Sequence, residues 1–150
     1  MASYKTVKLL SREEAAYLAG IIDGEGTITL TRRNRNEQRQ LVVSISNCEL
    51  PLLKYIARLV GTGIIATKHV LKSNHSQGYA FNLKNRQALD LVRMAYPFLR
   101  TYKRKRAALV LKDYLRLTPR NGKYSAVQRV RRDRFVERFF SLLPHNTKTR

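Results

Sequence analysis

Two acidic residues and three glycines lie within the nine residues 18–26, which read Leu-Ala-Gly-Ile-Ile-Asp-Gly-Glu-Gly. Carboxylates are scarce here, since 10 Asp and Glu face 30 Lys and Arg, for a formal net charge of +20. Glu25 is therefore an isolated carboxylate in a strongly positive chain, where it attracts a metal cation or pairs with an arginine. Carboxylate and carbonyl oxygens suit Mg²⁺, and such a metal can activate water for phosphodiester hydrolysis. One carboxylate per chain provides few ligands for a metal that catalyses hydrolysis, whereas a symmetric pair of chains would supply two carboxylates.

A capped helix positions these acids. Ser11 and Glu14 have the spacing of a capping box, so we expect a helix over about residues 12–25. On a helical wheel its small residues share one face with Asp23, and such a face lets two helix backbones approach closely. The members of this face are Ala16, Ala19, Gly20 and Asp23. Ala15, Leu18 and Ile22 lie on the other side.

Alternating apolar and polar residues predict four strands after this helix. The predicted strands cover residues 27–33, about 40–45, 64–72 and 78–84. Between the second and third strands, the apolar spacing predicts a helix that ends at Gly61, with a second possible capping box from Ser46 to Glu49. The order of helix, hairpin, helix, hairpin predicts an α+β fold.

The C-terminal third is expected to be helical over about residues 102–143, after a short helix at 86–95. Residues 118–122, Thr-Pro-Arg-Asn-Gly, break this region into two helices. The last helix is expected to bury Val127, Val130, Phe135, Phe139 and Leu142, and to expose to solvent the arginines 129, 131, 132 and 134. Neither a repeat nor a linker composition is visible, so residues 1–150 are predicted to form a single domain.

Composition bounds the class of protein. A hydrophobic content of 43% indicates a globular fold, and the net charge of +20 makes a polyanion, most commonly nucleic acid, the expected partner. The single cysteine, Cys48, excludes an internal disulfide and a cysteine-rich zinc site. Because no long apolar run or signal peptide is visible, we expect an intracellular, soluble protein of a prokaryotic cytoplasm or an organelle interior, without a membrane partner.

The segment 18–26 resembles the motif of the LAGLIDADG homing endonucleases in six of nine letters. The helix and strand order also resembles that fold, an α-β-β-α-β-β-α unit with a curved antiparallel four-stranded DNA-binding sheet and C-terminal helices. The segment 97–111, which contains Lys-Arg-Lys-Arg before an apolar run, resembles the corresponding region of single-motif members. The resemblance covers most of residues 11–115.

The resemblance implies a homodimeric, intron-encoded endonuclease that leaves a staggered double-strand break. The small helix face of Ala16, Ala19, Gly20 and Asp23 would form the dimer interface, with Asp23 bonding amides of the partner helix. Glu25 would hold Mg²⁺, or Mn²⁺ in its place, together with the Gly24 carbonyl. Asn47 would organise water. Lys103 would lie near the scissile phosphate, with Arg100, Arg104 and Lys54 as rivals for that role.

The four strands would supply recognition of double-stranded DNA, because a two-stranded ribbon fits the major groove and polar side chains read base edges there. The target would be a long, partly palindromic site. We expect eleven side chains to contact DNA, namely Thr29, Thr31, Arg33, Arg35, Gln38, Gln40, Ser44, Lys68, Lys72, Asn82 and Lys84.

Two other functions fit parts of the sequence. An intron-splicing maturase or a non-cleaving nucleic-acid-binding protein on the same fold would bind its target, intron RNA for the maturase, without hydrolysing DNA. A basic ribosomal-type protein would share the charge but would be a monomer. Individual residues also have plainer roles: Glu25 as a salt-bridge partner, Asn47 as a helix cap and Lys103 as a simple phosphate anchor.

Overall fold

The computed structural model describes residues 5–70 and 73–145. Its first half contains α1 (Arg12–Glu25), β1 (Gly26–Thr31), β2 (Gln40–Asn47) and α2 (Leu50–Val60). Its second half contains β3 (Ile64–Thr67), β4 (Tyr79–Lys84), α3 (Asn85–Ala95), a 3-10 turn (Tyr96–Phe98), α4 (Lys103–Asp113) and α5 (Ala126–Ser141). The α-β-β-α-β-β-α order and the C-terminal helices predicted from the sequence are confirmed.

The four strands form one antiparallel sheet in the order β1-β2-β4-β3. Because side chains alternate along a strand, one face carries Ile28, Leu30, Leu41, Val43 and Phe81, which are all buried. The helices cover that face and form a common core with it. None of the described helices covers the opposite face, and most of its side chains are at least partly exposed and available to a partner.

α1 begins with the expected capping box, in which the Ser11 hydroxyl accepts from the Glu14 amide and the Glu14 carboxylate accepts from the Ser11 amide. It ends directly at the first residue of β1, Gly26, whose amide donates to the carbonyls of Ile21 and Ile22. A Cβ at Gly26 would lie 2.7 Å from the Cα of Ile22. The immediate turn from helix to strand therefore depends on a residue without a side chain.

Two local expectations are corrected by the structure. β3 ends at Thr67, short of residue 72, and residues 71 and 72 lie outside the described part of the chain. The capping box expected from Ser46 to Glu49 does not form; the Asn47 side chain accepts from the Glu49 amide instead, at 2.7 Å. Asn47 occupies this position because β2 continues to it before the chain turns into α2.

The face predicted for α5 is also corrected. Val127 and Val130 are 61% and 52% exposed, whereas Arg132 is 1% exposed. The Arg132 guanidinium donates to the carbonyls of Leu117 and Arg39 and to the Thr118 hydroxyl, each at 2.6 Å. These oxygens replace the water that an exposed arginine would bind, which is why a charged side chain can occupy the interior.

Within the described residues, no helix combines the length and apolar character required to cross a membrane.

Replacing Gly26 with alanine should lower the free energy of unfolding by about 1–3 kcal/mol, because the added methyl group meets helix backbone that cannot rotate away. Gly20→Ala is the matched control, since a Cβ there meets nothing within 4 Å and alanine favours a helix. Urea unfolding of both variants measures the difference. Equal stability of the two variants would contradict this account of the turn.

Candidate functional site

Glu25 is the last residue of α1, and its exposed carboxylate lies beside the end of β2. The Asn47 amide nitrogen donates to Glu25 Oε2 at 2.5 Å, and the Asn47 amide oxygen accepts from the Glu49 amide. Asn47 is thus held by the start of α2 and in turn holds the Glu25 side chain. The structure brings these two predicted site residues into direct contact.

Lys103 reaches the same helix end from the first turn of α4. Its ammonium group donates to the carbonyls of Ile22 and Asp23, at 2.8 and 2.9 Å. A helix leaves its last carbonyls unpaired and carries partial negative charge there, so a cation stabilises this end of α1. Lys103 is 8% exposed. Burial lowers the pKa of Lys103; nearby Asp23 opposes that shift and Arg106 adds to it.

Asp23 makes the return connection. Its carboxylate accepts from the backbone amides of Arg100 and Thr101, at 2.7 and 3.2 Å, and from the Thr101 hydroxyl at 2.6 Å. We call these bonds, together with those of Lys103, the α1–α4 clasp. The Asp23 oxygens are engaged by the turn before α4 of the same chain, and the expected bonding of Asp23 to amides of a partner helix stays a prediction.

The three rivals of Lys103 are all exposed. Arg100 contributes its backbone amide to the clasp, and the Arg104 guanidinium lies 4.9 Å from the centre of the Tyr96 ring. Lys54 lies on α2. Among the four basic candidates, Lys103 is the one whose side chain is fixed against the end of α1, one residue before Gly24.

The helix-free face of the sheet carries rows of polar side chains. Strand register aligns Thr29, Val42 and Lys84 in one row and Thr27, Ser44, Asn82 and Ile64 in the next. Lys68 follows directly after β3, and the β1–β2 connection holds the exposed Arg33 and Arg35 and the half-buried Gln38. Gln40 lies opposite Thr31. Lys72, also expected on this face, lies outside the described residues.

The free face differs from the sequence pattern at two positions. Val42 lies on this face by strand alternation but is 6% exposed, whereas the apolar Ile64 is 68% exposed. Thr27 is exposed on this face and was not among the expected contacts. The alternation of β1 already placed it beside Thr29, so the sequence carried that signal.

The outward side of α1 is formed by Gly20 and Gly24, both exposed, with Tyr17 alongside. A groove of about 450 Å³ runs between this side of α1 and α2; its lining includes Ala16, Ile21 and Leu52. Ala19 is fully buried in the core, so its expected place in a dimer interface is corrected. Small side chains suit a core and an interface equally, so the helical-wheel projection alone does not distinguish buried positions from interface positions.

Aromatic residues on this side were missed by the sequence reasoning. Tyr17 and Tyr55 are 47% and 43% exposed and meet edge to face, with ring centres 6.2 Å apart. Their positions on α1 and α2 bring them together only after folding, so no local pattern could have paired them.

A family model described as LAGLIDADG endonuclease matches residues 18–118. No curated protein sequence matches the chain. The fold is similar to solved structures at low identity. The homing endonuclease I-CvuI in complex with its target has a TM-score of 0.70 at 19% identity, covering 93% of this chain and 87% of that one.

Two other solved structures have the same fold. The homing endonuclease I-TnaI has a TM-score of 0.64 at 17% identity, covering 90% of this chain and 95% of that one. The archaeal intron-encoded homing endonuclease I-Vdi141I, complexed with DNA, has a TM-score of 0.57 at 15% identity, covering 92% and 87%.

Asp23→Asn should loosen the clasp, because the new amide group places N–H donors against N–H donors of the turn before α4. We expect the free energy of unfolding to fall by about 1–3 kcal/mol. The pKa of Lys103 should fall further, since the opposing charge of Asp23 is removed. Denaturant unfolding and NMR titration of the lysine side chains measure the two effects.

Asp90→Asn is the control for this variant, because Asp90 forms an exposed ion pair with Arg93 on α3. Such pairs contribute little, about 0–1 kcal/mol. An Asp23→Asn variant as stable as this control, with Lys103 titrating as before, would contradict the clasp.

Proposed function

The chain belongs to the LAGLIDADG endonuclease family, and from this we propose that it is a homodimeric, intron-encoded homing endonuclease. It hydrolyses both strands of a long, partly palindromic DNA site in a metal-dependent reaction and leaves a staggered double-strand break. The observation that carries the proposal is the placement of the exposed Glu25 carboxylate at the end of the motif helix, in contact with Asn47 at the end of β2. The domain that performs this work extends, in our proposal, over residues 1–150.

Relatives of known structure support the DNA partner. I-CvuI and I-Vdi141I were solved with DNA, and I-CvuI was studied in the presence of calcium and of magnesium. The net charge of +20 gives this chain the positive potential that a duplex attracts.

The residues at the end of α1 fit a hard divalent cation. Glu25 offers carboxylate oxygens, and Gly24 offers the next helix carbonyl after the two that Lys103 engages. A Cβ at Gly24 would meet nothing within 4 Å, so the space beside it is open in the single chain. Oxygen donors of this kind suit Mg²⁺, with Mn²⁺ as a substitute. A bound metal would lower the pKa of its water and stabilise charge on the phosphate oxygens.

Asn47 and Lys103 position the Glu25 carboxylate and the end of α1. Asn47 binds one Glu25 oxygen, Oε2, through its amide nitrogen, and the Glu25 side chain remains exposed. Lys103 neutralises the preceding carbonyls and keeps the end of α1 in place. We assign Glu25 as the catalytic and metal-binding residue, Gly24 as a metal ligand, and Asn47 and Lys103 as residues that act at the same centre.

DNA recognition is assigned to the free face of the sheet. The proposed contacts among the described residues are Thr29, Thr31, Arg33, Arg35, Gln38, Gln40, Ser44, Lys68, Asn82 and Lys84. Arginine and glutamine side chains pair with base edges in the major groove, whereas the threonines and lysines also suit phosphate contacts.

The dimer is assigned to the outward side of α1. The exposed glycines 20 and 24 allow a second helix backbone to approach closely, and the adjacent groove offers apolar surface in an otherwise charged chain. Isologous packing brings each Glu25 toward its counterpart, so the second copy completes a site for which one chain provides a single carboxylate.

Replacing Glu25 with glutamine should reduce cleavage by about 100-fold or more while DNA binding is largely retained, because the variant loses the charged metal ligand but keeps the sheet. The assay is linearisation of a plasmid that carries the joined flanks of the host intron, with and without Mg²⁺. Glu13→Gln is the matched control, since it removes an exposed charge from the first turn of the same helix.

Full cleavage by Glu25→Gln would refute the assigned mechanism. Tight binding without cleavage by the wild type under every divalent metal, together with promoted splicing of an intron RNA, would instead establish the maturase function.

Gly20→Leu should abolish dimer formation and with it cleavage, although the single chain has room for the new side chain. Ala126→Leu is the matched control, because it adds the same bulk at an exposed helix position on α5. Light scattering and the plasmid assay measure assembly and activity. A dimeric, fully active Gly20→Leu protein would show that α1 is not the interface.

A further inference from the structure

A second cavity, of about 950 Å³, lies at the far end of the sheet from the α1–α4 clasp. Its walls are the β1–β2 connection, the start of α3, the segment between α4 and α5, and the first turns of α5. We call it the hairpin cleft. The described residues that line it are all different from those that line the groove beside α1.

The charge of the hairpin cleft is strongly positive. Six arginines line it, namely Arg35, Arg39, Arg86, Arg120, Arg129 and Arg132. Among the described residues that line it, the only acidic one is Glu37, whose carboxylate accepts from the Arg33 amide and the Asn34 side chain within the hairpin turn. A concave surface of one sign with protein walls concentrates the electric field, so an anion is the ligand that this cleft attracts.

Arg132 places a buried charge in the wall of the cleft. Its guanidinium is 1% exposed, it forms no salt bridge with the described residues, and its Nε has no hydrogen-bond partner among them. Carbonyls of Leu117 and Arg39 hold it, and the rings of Tyr114 and Tyr124 lie 5.3 and 5.6 Å from its centre. Carbonyl dipoles do not cancel a full charge, so the positive potential of Arg132 extends into the cleft.

The cleft continues from the surface assigned to DNA recognition. Arg35 and Gln38, at the tip of the hairpin, belong to both. Arg39, the next residue, connects this tip to α5: its guanidinium donates to the Leu30 carbonyl and lies 5.1 Å from the Phe140 ring. A DNA strand that extends from the free face of the sheet past the hairpin tip would therefore reach the mouth of the cleft.

From this we propose that the hairpin cleft binds a backbone phosphate of the DNA duplex that flanks the segment read by the sheet. The inference rests on the proposed function and extends its contact surface outward, without base specificity. Arg120 and Arg129 are exposed, and their planar guanidinium groups can donate hydrogen bonds to phosphate oxygens. Tyr124 adds a hydroxyl that can donate to a phosphate oxygen; burial raises the pKa of this hydroxyl, and Arg132 opposes that shift.

The test compares two double variants in binding to a long random-sequence duplex over a range of salt concentrations. Arg120→Gln/Arg129→Gln should weaken binding and reduce the slope of log K against log salt by about 1 for each arginine. Arg131→Gln/Arg134→Gln removes the same charge from exposed positions of α5 outside the cleft and should change the slope much less. None of these side chains forms a hydrogen bond to the described residues, so folding should be unaffected.

Protection from phenylglyoxal, read by mass spectrometry, locates the ligand. The duplex should protect Arg120 and Arg129 from modification more than it protects Arg131 and Arg134. Inorganic pyrophosphate alone should protect Arg120 and Arg129 only weakly. Equal slopes for the two double variants, with a wild type that binds DNA, would overturn this inference and leave the proposed function standing. Strong protection by pyrophosphate but none by the duplex would overturn it as well. A wild type that binds no duplex would refute both.

Discussion

The reciprocal clasp between α1 and α4 is the interaction on which the arrangement of the site depends. Asp23 presents negative charge to the amides of Arg100 and Thr101 in the turn before α4, and Lys103 presents positive charge to carbonyls at the end of α1. The end of α1 therefore receives the charge that its helix dipole favours. The two elements are about 80 residues apart in sequence, so the clasp ties the C-terminal helices to the residue that the proposed chemistry requires.

The fold was predictable because its signals are local. The Ser11–Glu14 capping box, the alternation in β1 and β2 and the glycine after α2 each fix an element through neighbours in sequence. Glu25 was also identifiable, since an isolated carboxylate between glycines stands out in a chain of charge +20. Its contact with Asn47 agrees with the expectation that both serve one centre, although their roles stay proposals.

What the sequence could not show depends on contacts between distant residues. Ala19 was placed on the outward face because alanine fits a core and an interface alike, and only packing against the sheet decides between them. Arg132 was placed in solvent because the carbonyls that accept from it belong to Leu117 and Arg39, residues brought together by the chain path between α4 and α5. The hairpin cleft arises from the same path, and no spacing rule describes it.

The two hydrogen bonds of Asn47 affect how such a protein could acquire specificity for a new DNA sequence. Asn47 ends β2, the strand that carries Gln40 and Ser44 and lies between β1 and β4 in the sheet. A substitution that shifts β2 against the DNA would therefore also move Glu25, whereas β3, at the edge of the sheet, can shift without doing so. During evolution or engineering, new sequence specificity would be acquired more easily through substitutions in β3. Substitutions in β2 would affect sequence recognition and the cleavage activity of Glu25 together.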